Sequence, residues 1–252
     1  MSRRYDQKTT TFNKEGKLLQ VQYAIEAINK TGSAIGILTK EGIALATEKL
    51  DVSFLLEASK TSEKIFAVDN HLYAVVNGLT ADANYLIDTA RVEAQRYKYA
   101  YGGENMPIEQ LIVRVCDIKQ SYTQIGGLRP FGAAFLFAGY DRHFGYQLYS
   151  TDPSGNYAGW KATAIGQNNS AANVFLKSEY KETLSLKEGT NLALKALVKT
   201  MDTASPSAKK IEVVVISMNE RSKQVKGKSY SEGEIEQLLK DNGFNVEKMQ
   251  VE

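Results

Sequence analysis

A threonine, Thr31, stands directly before two short predicted strands in the stretch KTGSAIGILTKEGIALATEKL, which runs from Lys30 to Leu50. A threonine hydroxyl becomes a nucleophile when a base takes up its proton, and the free α-amine of an N-terminal threonine can be that base. Thr31 lies inside the chain, so its own nitrogen is an amide. The stretch therefore poses a choice between a peptidase that frees Thr31 by cleavage and a non-catalytic protein with a structural threonine.

Metal and phosphate chemistry find no support elsewhere in the chain. The two histidines, His71 and His143, have no acidic or cysteine ligand at a metal-binding spacing, which argues against a zinc site. The tripeptide Gly227-Lys228-Ser229 resembles the end of a phosphate loop, but Ser222 occupies the place of the required first glycine. We expect no metal and no cofactor.

Two further side-chain patterns could carry nucleophilic chemistry. Ser207 and Lys210 match an S-x-x-K pattern, yet they lie in a polar loop after a proline and not at a helix start. Cys116 lies one position around from the apolar face of its predicted helix, so we expect a small core residue. Neither pattern competes with Thr31 as the feature that decides function.

Composition limits the class of protein. The 252 residues, with 43% hydrophobic and 24% charged positions, are enough for one sizeable core. The net charge of 31 − 29 = +2 is too balanced for the basic field that non-specific nucleic-acid binding needs. A single cysteine excludes an intrachain disulfide, and no apolar run approaches the ~20 residues that span a bilayer. We expect a soluble intracellular protein that binds neither nucleic acid nor membrane.

Periodicity predicts the elements that must position Thr31. Apolar side chains at helical spacing, together with caps, predict six helices: Gly16–Asn29, one that Thr80 caps and that ends near Tyr101, one from Pro107 to Gly126, Ser170–Tyr180, one after Ser185 that runs to Thr200, and one after Ser231. Both Ser185 and Ser231 have a glutamate three residues later, the capping-box pattern.

Strands are predicted in two main blocks that a helix pair separates. Alternating or wholly apolar runs mark them: Ser33–Thr39, Ile43–Thr47, Ile65–Val68 and His71–Val76, then Ala133–Tyr140, Tyr146–Ser150 and Tyr157–Ile165, and finally Ile211–Met218 and Gln224–Lys228. Each sheet needs one face covered by helices and the other by a second sheet. We therefore predict an α+β fold of antiparallel sheets in four layers, α-β-β-α, preceded by an extra N-terminal helix.

Long ordered motifs add a family resemblance. These are YDQKTTTFNKEGKLLQVQY at 5–23, SEKI at 62–65, YTQIGGLRPFG at 122–132 and DPSGNYAGWKATAIG at 152–166. They resemble the alpha-type subunits of the 20S proteasome, and the match runs from the N-terminus to the last helix. The resemblance implies the N-terminal-nucleophile hydrolase fold. It also implies a single domain over 1–252, with a gate segment at 1–15, a helix at 16–29 and a sandwich at 32–252.

The resemblance also bears on whether Thr31 is a nucleophile or a structural residue. Matching the strands to the catalytic beta-type relatives puts their threonine at Gly32, their aspartate at Glu48, 16 residues on (48 − 32), and their lysine at Lys64, 32 residues on (64 − 32). Glycine has no hydroxyl, and Thr31 is one residue out of register, which in a strand turns a side chain to the opposite face. We predict a non-catalytic subunit. The alternatives are an autoprocessing N-terminal threonine peptidase and a stand-alone ligand-binding sandwich.

For a non-catalytic subunit, the functions that remain are ring assembly and gating of the pore. The resemblance implies a place in a seven-membered outer ring of alpha-type subunits, stacked on a ring of beta-type subunits, and a part in ubiquitin-dependent degradation in cytoplasm and nucleus. The gate cluster of the family matches Tyr5, Asp6 and Tyr23, whereas Lys14 replaces the family proline and should leave its turn more mobile. The tyrosine-rich segment YKYAYGGENM, 97–106, is a candidate subunit contact, and the alternative is that its tyrosines pack on the protein's own sheet.

Lys64 has a second implied role. In the family, a lysine at this place lines a pocket between neighbouring alpha subunits. There it pairs with the C-terminal carboxylate of an activator or regulatory-particle tail, a charge-assisted contact of roughly 1.5–3 kcal/mol. The alternative is a solvated lysine beside Glu63.

Overall fold

The structure is a computed structural model that describes residues 10–49, 64–201, 206–219 and 222–244. Its helices are α1 Leu19–Ile28, α2 Thr80–Ala100, α3 Ile108–Gln124, α4 Asn169–Glu179, α5 Leu186–Thr200 and α6 Glu232–Asp241, with a short 3-10 turn at Ala208–Lys210. Its strands are β1 Ala34–Leu38, β2 Gly42–Glu48, β3 Ile65–Asp69, β4 Leu72–Gly78, β5 Ala133–Asp141, β6 Gly145–Thr151, β7 Tyr157–Gly159, β8 Ala162–Ile165, β9 Ile211–Met218 and β10 Val225–Ser229.

The strands form two five-stranded sheets in which each neighbouring pair is antiparallel. The first sheet has the order β10-β9-β2-β1-β8, and the second has the order β3-β4-β5-β6-β7. Adjacent strands in sequence pair through short hairpins, as β1 with β2 and β3 with β4. Strands from both predicted blocks are mixed in each sheet, because β8 and β9 join β1 and β2 while β5 joins β4.

Three separate cores show that the layers are stacked α-β-β-α. One core packs the outer face of the first sheet against α4, α5 and α6, for example Ile35 and Ile37 against Leu194 and Leu197. A second core packs the outer face of the second sheet against α2 and α3. The third lies between the sheets and contains Leu136. This confirms the predicted layered α+β fold with its additional N-terminal helix.

One predicted strand is wrong, because Tyr157–Ile165 is two strands in different sheets. The chain crosses between the sheets at Trp160 and Lys161. The Trp160 main-chain N–H donates to Leu148 O in the second sheet (2.8 Å), and Lys161 O accepts from the Leu38 N–H in the first sheet (2.8 Å). Both halves alternate like strands, and alternation alone does not show which sheet a strand joins.

Two predicted helix starts need correction. The first helix begins at Leu19, not at Gly16, whose φ of +74° lies in the left-handed region and cannot continue a helix. Thr80 is the first helical residue of α2 and not its cap, which is Leu79 and has no side-chain capping bond. In contrast, the capping boxes at Ser185 and Ser231 are both present, and they start α5 and α6 as predicted.

Candidate functional site

The structure brings Gly32, Glu48 and Lys64 together where the two sheets meet. Gly32 precedes β1, Glu48 ends β2, and Lys64 precedes β3 of the other sheet. The Lys64 Nζ donates to Gly32 O (3.1 Å) and to Glu48 O (2.9 Å). A β carbon at Gly32 would lie 3.1 Å from Glu48 Oε2. The three positions predicted from the catalytic relatives are therefore neighbours, with a hydrogen atom where a nucleophile's side chain would stand.

Burial sets the electrostatics of this site. Lys64 is buried, and its removal from water lowers the pKa of its ammonium to about 8, although the charges of Glu48 and Glu212 act in the opposite direction. The ammonium is the charged form of lysine, so it is the form that burial penalises. Lys64 consequently holds its charge at neutral pH with a smaller margin than a surface lysine.

Thr31 lies three residues after Ile28, the last residue of α1. Its Oγ1 donates to Ile28 O (2.7 Å), its N–H donates to the same oxygen (3.0 Å), and its carbonyl accepts from the Gln167 N–H (2.9 Å). The hydroxyl proton is thus engaged with a helix carbonyl, and the nitrogen is part of a peptide bond. This arrangement is that of a structural threonine.

We expect the full-length chain to form no adduct at Thr31 with an electrophilic peptide inhibitor, because its hydroxyl donates to a main-chain carbonyl and the nitrogen of Thr31 is an amide, not a free amine that could act as the base. Intact-mass measurement after incubation checks this and also shows whether the chain still begins upstream of α1. The matched control is Thr31→Val, whose mass should likewise be unchanged by the inhibitor. An adduct that appears in the parent chain and vanishes in Thr31→Val would contradict the structural role.

Two buried polar side chains near the site were not predicted from the sequence. Glu212, the second residue of the apolar run IEVVVISM, is buried, and its Oε2 accepts from the Lys64 N–H (3.3 Å). Asn77 is wholly buried, with no hydrogen-bond partner for either amide atom among the described residues. The signal for Glu212 was available, since a carboxylate inside a strand that is otherwise apolar calls for a partner.

The histidines and the cysteine that were considered as ligands or nucleophiles lie in structural surroundings. His71 is buried between Met106 O, 3.0 Å from its Nε2, and Asp69, 3.4 Å from its Nδ1, whereas His143 lies in the β5–β6 turn. No cluster of His, Cys, Asp and Glu in the described ranges could hold a metal ion. Cys116 is buried as predicted, and burial raises the pKa of its thiol to about 11.

The two lysine-containing motifs also have ordinary surroundings. The Lys210 N–H donates to Ser207 O (3.0 Å) across the short 3-10 turn before β9. Gly227-Lys228-Ser229 forms the end of β10, as predicted, and the Lys228 Nζ pairs with Glu234 at 2.6 Å. Neither arrangement assembles a nucleophile or a phosphate loop.

Of the predicted gate residues, only Tyr23 falls in the described part of the chain. Tyr23 lies on α1 with 50% of its surface exposed, whereas Tyr5 and Asp6 are outside the described residues. In the turn that carries Lys14, Asn13 Oδ1 accepts from the N–H groups of Glu15 (3.0 Å) and Lys17 (2.8 Å). The greater mobility expected from Lys14 stays a prediction.

Family models cover nearly the whole chain. The model described as "Proteasome subunit" matches residues 28–216, and a second proteasome model, the N-terminal signature of the A-type subunits, matches residues 5–27. None of the helices in the described residues has the length and apolar content needed to cross a membrane.

Curated relatives agree with these models. The chain is 52% identical over 244 residues, 97% of both chains, to "Proteasome subunit alpha type-4" of Spinacia oleracea. It is 52% identical over 243 residues, 96% of both chains, to "Proteasome subunit alpha type-4-A" of Arabidopsis thaliana. It is 49% identical over 245 residues, 97% of this chain and 98% of the relative, to "Proteasome subunit alpha type-4-2" of Oryza sativa subsp. indica.

Proposed function

Because this chain belongs to the proteasome subunit family, as a non-catalytic alpha-type subunit of the outer ring, we propose that it has three tasks in the assembled particle. The first is to hold neighbouring subunits, the second is to help close the axial pore, and the third is to dock the tails of activators or regulatory particles. The observation that carries this proposal is Gly32, which places no hydroxyl beside Glu48 and Lys64.

Within a threonine peptidase family, we regard the chain as an inactive member. A threonine at Gly32 would supply the attacking oxygen, and a free amine there would supply the base. This chain has neither, and α1 remains joined upstream of β1. The remaining pair of Glu48 and Lys64 would then serve binding, with the ammonium of the buried Lys64 as the group for an anionic partner.

Ring assembly with other proteasome subunits follows from the family, and we place this chain in a seven-membered ring of alpha-type subunits stacked on beta-type subunits. The end of α2 supports a contact there. Tyr99 is 95% exposed, while Tyr97 and Tyr101 stack on each other with ring centroids 4.3 Å apart. An unpaired aromatic ring in water is the kind of group that an interface between subunits buries.

For the pore, we assign residues 1–15 to the gate segment and Tyr5, Asp6 and Tyr23 to its cluster. The support in the structure is Tyr23, a half-exposed tyrosine on a helix whose opposite side, through Val21 and Ile28, is buried. The entire chain, 1–252, would then form one domain in which gate segment, α1 and sandwich work together. Cytoplasm and nucleus, and ubiquitin-dependent degradation, are the setting that we propose.

For tail docking, Lys64 is the residue we propose. Two of the three ammonium protons go to main-chain carbonyls, so among the described residues one proton is left to donate. A terminal carboxylate is the acceptor that such a proton favours, because the bond is then charge-assisted. The two fixed bonds also hold the ammonium in place, which reduces the entropy lost on binding.

We expect Lys64→Met to leave the particle assembled but to reduce this chain's binding of a tail with a free carboxylate by roughly 10-fold or more, since the charge-assisted bond is lost. The measurement is photo-crosslinking of an activator-tail peptide to reconstituted particles, read on this chain by mass spectrometry. The exposed Lys195, changed to methionine, is the control. Equal crosslinking by Lys64→Met and Lys195→Met, or by an amidated peptide, would reject the assignment.

A further inference from the structure

Glu212 is a buried carboxylate at the Lys64 site with only part of its hydrogen-bonding capacity used. It lies on β9, directly opposite Thr47 of β2, and only 7% of its surface is exposed. Its Oε2 accepts from the Lys64 N–H at 3.3 Å, while its Oε1 has no hydrogen-bond partner in the described part of the chain. Burying a carboxylate is costly, so a residue of this kind calls for a role that an apolar side chain could not fill.

The charges around Lys64 suggest that role. Among the described residues, the groups whose charges act on its ammonium are Glu48 from β2 and Glu212 from β9. Of these two charges, that of Glu48 raises the pKa of Lys64 more and that of Glu212 less. Glu48 is partly exposed, whereas Glu212 is buried, so dissolved salt screens the contribution of Glu212 less. The hydrogen bond from the Lys64 main-chain N–H also places the Glu212 carboxylate next to the main chain of Lys64.

We propose that Glu212 is the positioning residue of the tail-docking site, because its carboxylate anchors the main chain of Lys64 and, together with Glu48, surrounds the ammonium that would meet the terminal carboxylate of a partner's tail. This inference rests on the docking role proposed above. Glu212 acts through Lys64 and does not itself contact the tail, whose negative charge it would repel.

The sign of the pH dependence follows from the ammonium. Burial lowers the pKa of Lys64 to about 8, so the charged form is complete only below that pH and is lost as the pH rises through it. A carboxylate tail should therefore bind more weakly above about pH 8. Without the Glu212 charge, the pKa of Lys64 falls further, and the loss of binding moves to lower pH.

The test uses reconstituted particles and the crosslinking tail peptide with its free carboxylate, titrated from about pH 6 to about pH 9.5. In the unsubstituted particle the crosslink yield should fall by half near pH 8. In Glu212→Gln, which keeps the acceptor for the Lys64 main-chain N–H but removes the charge, the midpoint should shift to lower pH. Glu236→Gln, on the exposed face of α6, is the matched control and should leave the midpoint unchanged. In Lys64→Arg, crosslinking should persist across the range, because a guanidinium does not titrate there.

The outcomes separate the two proposals. If Lys64→Met abolishes the crosslink but Glu212→Gln keeps the midpoint of the unsubstituted particle, the role of Glu212 is overturned and tail docking stands. If Lys64→Met has no effect, tail docking itself fails. If Glu212→Gln is not incorporated into the particle, NMR of the unsubstituted chain labelled with carbon-13 glutamate tests the proposal instead. Its Glu212 carboxylate signal must shift at the pH where the crosslink is lost, and a flat signal overturns the proposal.

Discussion

Replacing Lys119 by alanine should lower the free energy of unfolding of the full-length chain by about 3–5 kcal/mol. Lys119, on α3, has no exposed surface at all. Its Nζ donates to Ala133 O (3.1 Å), Thr151 Oγ1 (2.9 Å) and Asp152 O (3.2 Å), so all three ammonium protons are bound. The ring of Phe135 lies 4.6 Å from the same nitrogen. One side chain thus joins α3 to the start of β5 and the end of β6.

Two opposing effects decide the size of this loss. Removing the buried charge relieves a desolvation cost of about 3 kcal/mol, judged from a pKa that burial lowers from 10.5 to about 8. Removing the side chain forfeits about 3 kcal/mol of buried methylene groups and leaves three acceptors without this donor, at about 1–3 kcal/mol each. The second effect is larger, so the substitution destabilises the chain.

Urea unfolding of the purified chain measures this change. Lys119→Met should lose less, about 1–3 kcal/mol, because it keeps most of the apolar volume but not the donors. The control is Lys195→Met on the exposed side of α5, which should stay within about 0.5 kcal/mol of the unsubstituted chain. Equal stabilities of the Lys119 and Lys195 variants would mean that Lys119 does not hold these three segments together.

The same residue predicts a pH dependence. Burial lowers the pKa of Lys119 to about 8 in the folded chain, against 10.5 when it is unperturbed. Between these pH values the unfolded chain binds a proton that the folded chain does not, so the contribution of Lys119 to stability rises with pH, by up to about 1.4 kcal/mol per unit. Lys64 titrates in the same direction, and only the difference between the parent chain and Lys119→Met isolates Lys119. A difference that is constant from pH 8 to pH 10.5 would contradict this account.

Gly78→Ala should also destabilise the chain by about 3–5 kcal/mol. Gly78 ends β4 with φ +112°, a conformation that L side chains rarely adopt. A β carbon there would lie 2.1 Å from Gly132 O and 3.0 Å from Ile28 Cγ1. The Leu79 N–H donates to the same Gly132 O at 2.8 Å, so the backbone cannot simply move away. The added methyl group must displace either the start of β5 or the end of α1.

The control for Gly78 is a glycine with space around it. A β carbon at Gly233, in α6, would meet nothing within 4 Å, so Gly233→Ala should raise stability by about 0.5–1 kcal/mol. Urea unfolding of both variants is the measurement. Because Ile28 is the last residue of α1, Gly78→Ala should also speed protease cleavage on the N-terminal side of β1. A Gly78→Ala chain as stable as Gly233→Ala would refute the close approach of β4, β5 and α1.

Local sequence patterns were enough to predict much of the fold. The strand Ile211–Met218 has the predicted bounds because its apolar run is continuous, and α5 and α6 begin where Ser185 and Ser231 form capping boxes with glutamates three residues on. These features depend on residues a few positions apart, which a sequence displays directly. The four layers followed because each sheet and helix needs an apolar face covered.

The candidate site could be predicted from the sequence only in part. Spacing relative to catalytic relatives placed Gly32, Glu48 and Lys64, and the structure shows the Lys64 ammonium bonded to carbonyls of the other two. Spacing did not reveal that Glu212 joins them from β9. Contact between residues 148 positions apart depends on which strands share a sheet. The apolar pattern of a strand does not indicate which strands it will pair with.

By itself, the sequence determined the six helices and all strands except the divided segment Tyr157–Ile165, as well as the family and the absence of a hydroxyl at Gly32, because these depend on residue identity and short-range spacing. Only the tertiary structure decided the crossing between sheets at Trp160 and the complete burial of Lys119, a charged residue on a helix that pattern would assign to solvent. The physical reason is that a buried charge is stable only where acceptors converge on it, and for Lys119 these come from segments 14 to 33 residues away.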